Sequence, residues 1–406
     1  MTLTDLSASA RASASRTMGA ETLPFTLGEY GERLLQVREQ MAASGVDVLV
    51  VTAPENICYL TGFATTGYHV FQALVLPISD PPWFVLRNIE IPNAQDRSWI
   101  TEIAVIADLD NPQHTLIDTL ARTTSGAVVG YDHLTAWMSP HVVEALRDRF
   151  GATRVVPTGG LVERVRAVKS QAELGYIAQA AALADAAFIA GAIAVTDAAT
   201  DSHVAAAVQA ELARGGSGYT GSPAYVVGGK ASAMSHTTHD RRPLVAGQPV
   251  WMEIPASVQR YHACVSRTVT AGEGSRELAY AFEAAARAVS AIVDAACDGV
   301  TAGELDAVGR ASVADHGLAG HWKNRSGYSI GLSFPPGLGE GHIIDLKPGD
   351  ERIVRENMVF HVIPILKLPG LGAAGCTETV VVGKDHGRTL TTLPRSFDAR
   401  DYRGVT

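Results

Sequence analysis

Residues 235–272 read SHTTHDRRPLVAGQPVWMEIPASVQRYHACVSRTVTAG. His236 opens the stretch at the end of a Gly/Ala/Ser-rich loop, and Glu253 stands as the single carboxylate in the apolar run VWMEI. A run of this kind is expected to be a strand, and a carboxylate buried in it is costly unless it is paired or put to use. After a short turn the stretch closes on Arg260-Tyr261, five further residues and Arg267-Thr268-Val269, in a second expected strand over 261–270. A loop histidine, a lone acid and two adjacent strands together outline a site.

Working outward, further strands are expected at 224–229, 327–334, 357–364 and 376–382. Helices are expected at 170–197 and 201–213 before the opening stretch, and at 275–297 and 302–316 after it. Ser170 and Glu173 have the spacing of a capping box for the first of these. Strands grouped apart from helices give an α+β catalytic domain over 166–406. Upstream, the helix at 27–44, strands at 46–51, 70–76, 83–86 and 127–130, and helices at 113–122 and 140–149 alternate as in an α/β domain over 25–165. Residues 1–24, rich in Ser, Ala and Thr with no apolar core, are expected to be a disordered tail rather than a secretory signal.

Composition narrows the partners. The chain has 406 residues, 47% of them hydrophobic and 18% charged, and a formal charge of −9. An acidic balance without a basic patch argues against nucleic acid. The four cysteines are scattered, with no CxxC pair, which fits a reducing, cytoplasmic setting. The apolar run at 176–195 contains Gln179 and Asp185 and is expected to be a buried helix rather than a membrane span. Residues 216–221 match GxGxxG by letter but follow a helix instead of a strand, so no dinucleotide site is inferred.

Several segments, in order, resemble the creatinase/prolidase/aminopeptidase P family. They are residues 56–63 (NICYLTGF), 166–174 (RAVKSQAEL), 247–253, 261–268, 358–360 and 379–381. The resemblance implies an α/β N-terminal domain followed by a pita-bread catalytic domain. It also implies a homodimer in which the N-terminal domain of one subunit covers the site of the other.

Metal-dependent members of that family bind a dinuclear centre through two Asp, one His and two Glu. Laid over this sequence, those positions fall on Glu253, Cys264, Tyr328, Ile363 and Thr377. Isoleucine cannot ligate, and neutral Thr and Tyr are poor ligands for such a centre. The creatinase-like members work without metal through an imidazole acid/base, and His236 falls at that position. The tract 327–336 (GYSIGLSFPP), with Gly339-Glu340, Phe360-His361 and Thr377-Glu378, is similar to the ectoine hydrolase-like members.

The expected catalytic residues are therefore His236, Glu253, Tyr328 and Glu378. His236 suits proton transfer near neutral pH, and Glu253 suits attack or base work. Tyr328 can donate to developing charge or simply fill space. Glu378 follows Thr377 directly, so strand alternation points it away unless a bulge re-aims it. His361 shares a strand face with Ile363 and is expected at the pocket or its rim. Substrate binding is expected from His361, Cys264, Ile363 and Thr377. Phe63, Tyr68, His69 and Arg87 join them through the resemblance. Taken by itself, a small cysteine such as Cys264 is more often a core residue than a nucleophile.

The expected activity is metal-independent hydrolysis of a non-peptide C–N bond (amidine, guanidino or amide) in a small nitrogen-rich metabolite, with no metal and no cofactor. Three alternatives stay open. One is an Xaa-Pro-peptidase-like metallohydrolase with an altered site, another a lyase or cyclase, and the third a catalytically inactive binding protein.

Overall fold

The computed structural model describes residues 23–123, 126–134 and 136–405. Apart from Leu23 and Pro24, the expected tail lies outside the described residues. The chain divides after Arg166 into two compact units.

The first unit is a six-stranded mixed sheet in the order β4-β3-β2-β1-β5-β6. Its strands are β1 (Val48–Val51), β2 (Ala73–Pro77), β3 (Trp83–Arg87), β4 (Glu102–Ile106), β5 (Val129–Tyr131) and β6 (Val155–Pro157). β1 and β2 are buried at every position, as expected of central strands covered on both faces. The two strands that the apolar pattern does not reveal, β4 and β6, are the edges of the sheet, where burial is partial. The NICYLTGF segment forms helix Pro54–Thr61, which stops at Gly62 with φ 82°. A Cβ at Gly62 would stand 2.7 Å from the Tyr30 hydroxyl, so both conformation and space require glycine. Inside this helix Asn56 bridges Glu163 (2.9 Å) and Arg166 (2.6 Å).

The second unit opens with helix Gln171–Val195, whose capping box between Ser170 and Glu173 forms as expected. By length and composition this helix could cross a membrane. One face of it, however, is buried, and Ala184, Phe188 and Val195 of that face belong to the core that covers the sheet. The sheet runs β11-β10-β12-β14-β9-β8-β7, with β13 and β15 also pairing with β14. Its strands are β7 (Tyr225–Gly228), β8 (Pro249–Val258), β9 (Tyr261–Thr270), β10 (Gly327–Ser329), β11 (Asp345–Leu346), β12 (Val359–Val362), β13 (Ile365–Leu368), β14 (Gly372–Val381) and β15 (Arg388–Thr389).

β8 and β9 form a hairpin paired from Pro249↔Thr270 to Val258↔Tyr261. Its two-residue turn, Gln259-Arg260, has φ of 50° and 69°, the left-handed pair that a type I′ turn demands. Neither residue favours that region. Arg260 is anchored through hydrogen bonds to the carbonyls of Ser333 and Tyr219, which holds the turn.

Strand alternation sorts the side chains onto two faces. Val250, Met252, Ile254, Val265 and Val269 pack with Ala184, Ala187 and Phe188 of helix Gln171–Val195. Phe360, Val362, Ala374, Cys376 and Val380 pack with helix Arg276–Ala295. The intervening residues, polar for the most part, look the other way. The strand expected over 327–334 shortens to Gly327–Ser329, because the chain then leaves the ladder and Ser333 gives its carbonyl to Arg260.

Candidate active site

Strand register places the chemistry on the face opposite the helices. Glu253 pairs with Ser266, Ser266 with Thr377, Thr379 with His361, and His361 with Tyr328. Cys264 is two residues from Ser266 and so shares the face. Where β9 and β14 splay apart, threonines span the gap. Thr379 Oγ1 accepts from the Cys264 amide (2.9 Å) and donates to its carbonyl (2.8 Å), and Thr268 does the same for Gly375 and Ala373.

Over this face lies a cavity of about 680 Å³. Glu253, Tyr328, Trp251, Tyr225 and Ile363 line its inner part. His236, Ser235, Lys323, Arg325 and Lys367 are among the residues around it. Burial raises the Glu253 carboxyl to about 7, and a hydrogen bond from Trp251 offsets part of the rise. A group that changes charge near neutral pH inside a cavity suits acid/base work. Burial and the Glu253 carboxylate also push the Tyr328 phenol and the Cys264 thiol well above their usual ranges, so both are neutral.

Behind the cavity wall runs a chain of hydrogen bonds. The Tyr328 hydroxyl is 2.9 Å from His361 Nδ1, His361 Nε2 is 2.7 Å from Thr377 Oγ1, and Thr377 donates to Ser266 Oγ at 3.0 Å. Burial and the positive charges of Arg325 and Arg267 lower His361 to about 3, so the imidazole is neutral. Because Thr377 gives its proton to Ser266, it accepts from Nε2–H. That leaves Nδ1 as the acceptor for the Tyr328 hydroxyl.

The structure distributes the expected residues unevenly. Glu253, His236, Tyr328 and Ile363 all line the one cavity. His236 is exposed, sits at φ 56°, and makes no hydrogen bond to Glu253 among the described residues. Cys264, His361 and Thr377 are fully buried and are not among the lining residues, which corrects their expected role as substrate contacts. They lie behind the wall and support it.

Glu378 is corrected more strongly. β14 carries it to the helix face without a bulge. There it accepts from Arg267 (2.6 Å), Arg395 (3.0 Å) and the Thr391 hydroxyl. Its charge is consumed in a buried ion-pair network rather than offered to a substrate. Phe63 is likewise corrected, since it is buried in the first unit against Phe84 with ring centroids 5.3 Å apart. Tyr68 packs edge-on against Trp137, His69 Nδ1 meets the Thr66 carbonyl, and Arg87 pairs with Asp108 at 2.6 Å.

Sequence reasoning passed over Trp251, Tyr225, Ser266 and the lysines. Period-two alternation from Glu253 and Cys264 carried the signal for Trp251 and Ser266, and the pairing Tyr225↔Glu253 adds the tyrosine.

The family's dinuclear metal centre does not fit these residues. Ile363 offers no donor, Tyr328 is held neutral, and the Thr377 hydroxyl is engaged by His361 and Ser266. Ligand atoms of Glu253, Cys264 and His361 do lie within 4.8 Å of one another, a trio able in principle to hold one ion. Using it would require a thiolate from a thiol that burial keeps protonated, and a nitrogen from an imidazole already bonded at both.

Comparison with known proteins bears on this arrangement. The model of metallopeptidase family M24 matches residues 175–384, just over half of the chain, and the creatinase/prolidase N-terminal domain matches residues 33–168. The chain is 29% identical over 399 residues to the ectoine hydrolase of Halomonas elongata, covering 93% of this chain and 98% of that protein. It is 28% identical over 381 residues to the probable dipeptidase PepE of Mycobacterium tuberculosis, covering 92% and 97%. The crystal structure of dipeptidase PepE from Mycobacterium ulcerans superposes with a TM-score of 0.80 at 26% identity, over 92% and 98% of the two chains.

Proposed function

Because the chain belongs to metallopeptidase family M24, with a creatinase/prolidase N-terminal domain ahead of a pita-bread domain, we propose that it is a hydrolase refitted to open a non-peptide C–N bond without metal. The observation that carries this reading is the set of substitutions at the family's ligand positions. They hold one carboxylate, a thiol, a phenol, an alkyl group and a hydroxyl, with Tyr328 and Thr377 tied into a hydrogen-bond chain through His361. The likeness to an ectoine hydrolase over nearly the whole chain supports the same reading. The substrate class is a small amidine, guanidino compound or amide.

In the proposed reaction Glu253, ionised, takes a proton from water while the water oxygen bonds to the sp² carbon. The C–N bond then breaks as the departing nitrogen receives a proton from His236. Glu253 then gives its proton to solvent and His236 takes one back from solvent, so both groups are restored. The Tyr328 hydroxyl donates its hydrogen bond to His361 Nδ1, so its oxygen presents a lone pair to an N–H of the substrate. The test is turnover of cyclic amidines and guanidino acids by purified protein before and after exhaustive chelation, with His236→Ala as the control. Turnover that survives chelation and disappears in the variant supports the reading. Activity that chelation abolishes and a divalent ion restores rejects it.

A second reading has one specific observation in its favour, the convergence of Glu253, Cys264 and His361. A hydrolase with a single ion there, acting on peptides as the PepE relatives are named to do, would hydrolyse Xaa-Pro dipeptides and lose that activity in Cys264→Ala.

A further inference from the structure

His236, the acid of the proposed reaction, is held by its neighbours rather than by bonds of its own. It is exposed, and its imidazole makes no hydrogen bond among the described residues. Its backbone sits at φ 56°, a region that a residue with a side chain keeps only where the surroundings hold it. The chain is fixed on either side. Upstream lies the short helix Gly229–Ala233. Downstream the Thr238 carbonyl accepts from Arg242 at 2.7 Å, and the Asp240 and Arg242 amides donate to the Asp201 carboxylate at 3.2 and 2.9 Å. What happens between these anchors decides where His236 stands.

One rung of a hairpin supplies the hold. β13 and β14 pair Lys367 directly with Ala373. From that rung the Lys367 ammonium donates to the Ser235 hydroxyl at 2.6 Å, and the Ala373 amide donates to the Ser232 hydroxyl at 2.9 Å. The rung is itself braced. His321 Nδ1 donates to the Lys367 carbonyl at 3.0 Å, and the Thr268 hydroxyl donates to the Ala373 carbonyl at 3.0 Å. Gly372 lets the segment come this close, since a Cβ there would stand 2.6 Å from the Ser232 hydroxyl and 3.2 Å from the Gly229 carbonyl. Ser232 is buried, whereas Ser235 is exposed and adjoins His236. Lys367 is half-buried and has no ion-pair partner among the described residues, so its charge is available to strengthen the bond to Ser235.

We propose that Lys367 is a positioning residue, which by gripping Ser235 fixes the adjacent His236 at the cavity that Glu253 lines. That the group so fixed is an acid rests on the hydrolase reading above; the grip rests on the hairpin rung alone. Without the bond to Lys367, residues 233–237 keep the Ser232 anchor behind them and the Thr238 anchor ahead, and His236 is free to swing between the two. A displacement of about 1 Å in a proton donor can cost about a hundredfold in rate.

The experiment reads amide hydrogen exchange over residues 233–237 in the full-length protein, without ligand, for Lys367→Met, Ser235→Ala, their double variant and Lys367→Arg. Each of the first two is expected to speed exchange there about fivefold or more, as loss of one hydrogen bond implies. The double variant exchanges no faster than either single, Lys367→Arg keeps the native rate, and β8 and β9 are unaffected in all. Turnover of the cyclic amidines and guanidino acids is measured on the same proteins. Both Lys367→Met and Ser235→Ala should lower kcat about tenfold with KM unchanged, and Lys367→Arg should restore it. Native exchange over 233–237 in Lys367→Met overturns the proposal, and so do additive effects in the double variant. A rise in KM in Lys367→Met that Ser235→Ala does not share also overturns it, because Lys367 then meets the substrate instead of Ser235. Ser235→Ala alters only an exposed side chain, so the grip is tested even where Lys367→Met unfolds. If the native protein turns over none of these compounds the hydrolase reading fails, and the exchange rates alone decide the grip.

Discussion

Tyr328 and His361 sit directly opposite each other on antiparallel strands, and the phenol oxygen lies 2.9 Å from Nδ1 of the imidazole. The two behave as one unit, because His361 is neutral and its other nitrogen is committed to Thr377. Replacing His361 with Phe strands two buried hydroxyls, at a cost of about 1–3 kcal/mol each. Urea unfolding should show that loss, and turnover should fall as far as in Tyr328→Phe. An unchanged midpoint would mean that the chain of bonds does not support the wall.

Glu253 should couple activity to stability with a definite sign. Its folded value of about 7 lies above the ordinary 4.5, so the folded protein keeps this proton to higher pH than the unfolded chain does. The associated stability is present below pH 4.5 and lost as pH rises through 7, amounting to about 3 kcal/mol. Glu253→Gln should abolish turnover yet be more stable than the native protein above pH 7, with the advantage gone in acid. Asp132 and Asp185, both raised to about 6 by burial, act in the same direction but are present in both proteins and cancel. In the native enzyme kcat/KM should rise with pH through about 7.

Glu378 provides the contrasting case. Glu378→Gln leaves Arg267 buried without its carboxylate, and breaking a buried pair costs about 3–5 kcal/mol. The expected result is a lower unfolding midpoint with turnover per folded molecule retained at low temperature. Selective loss of turnover with normal stability would return Glu378 to the site.

Gly339 tests the position of Tyr328 without touching its chemistry. A Cβ at residue 339 would stand 2.5 Å from one carbon of the Tyr328 ring and 2.6 Å from the next, so the ring must move. Gly339→Ala should lower kcat toward that of Tyr328→Phe and cost about 1–3 kcal/mol of stability. A crystal structure of the variant with the 2.9 Å contact intact would contradict this.

Much of the fold was legible in the sequence because its signals act over a few residues. The Ser170/Glu173 capping box depends on local backbone geometry, and it forms. Period-two alternation put His361 and Ile363 on one strand face and turned Glu378 away from Thr377. The edge strands β4 and β6 escaped because partial burial leaves no clear apolar pattern.

By itself, then, the sequence determined the two-part α/β and α+β architecture and the loss of metal donors, since isoleucine and threonine are chemically unfit wherever they sit. Only the tertiary structure decided which polar groups are spent and which are free. Arg267 reaches Glu378, and Ser266 reaches Thr377, each across 111 residues of chain. Those pairings exist only once β9 and β14 lie side by side. They consume a carboxylate that looked catalytic, and the same sheet brings Lys367 to the cavity that Glu253 lines.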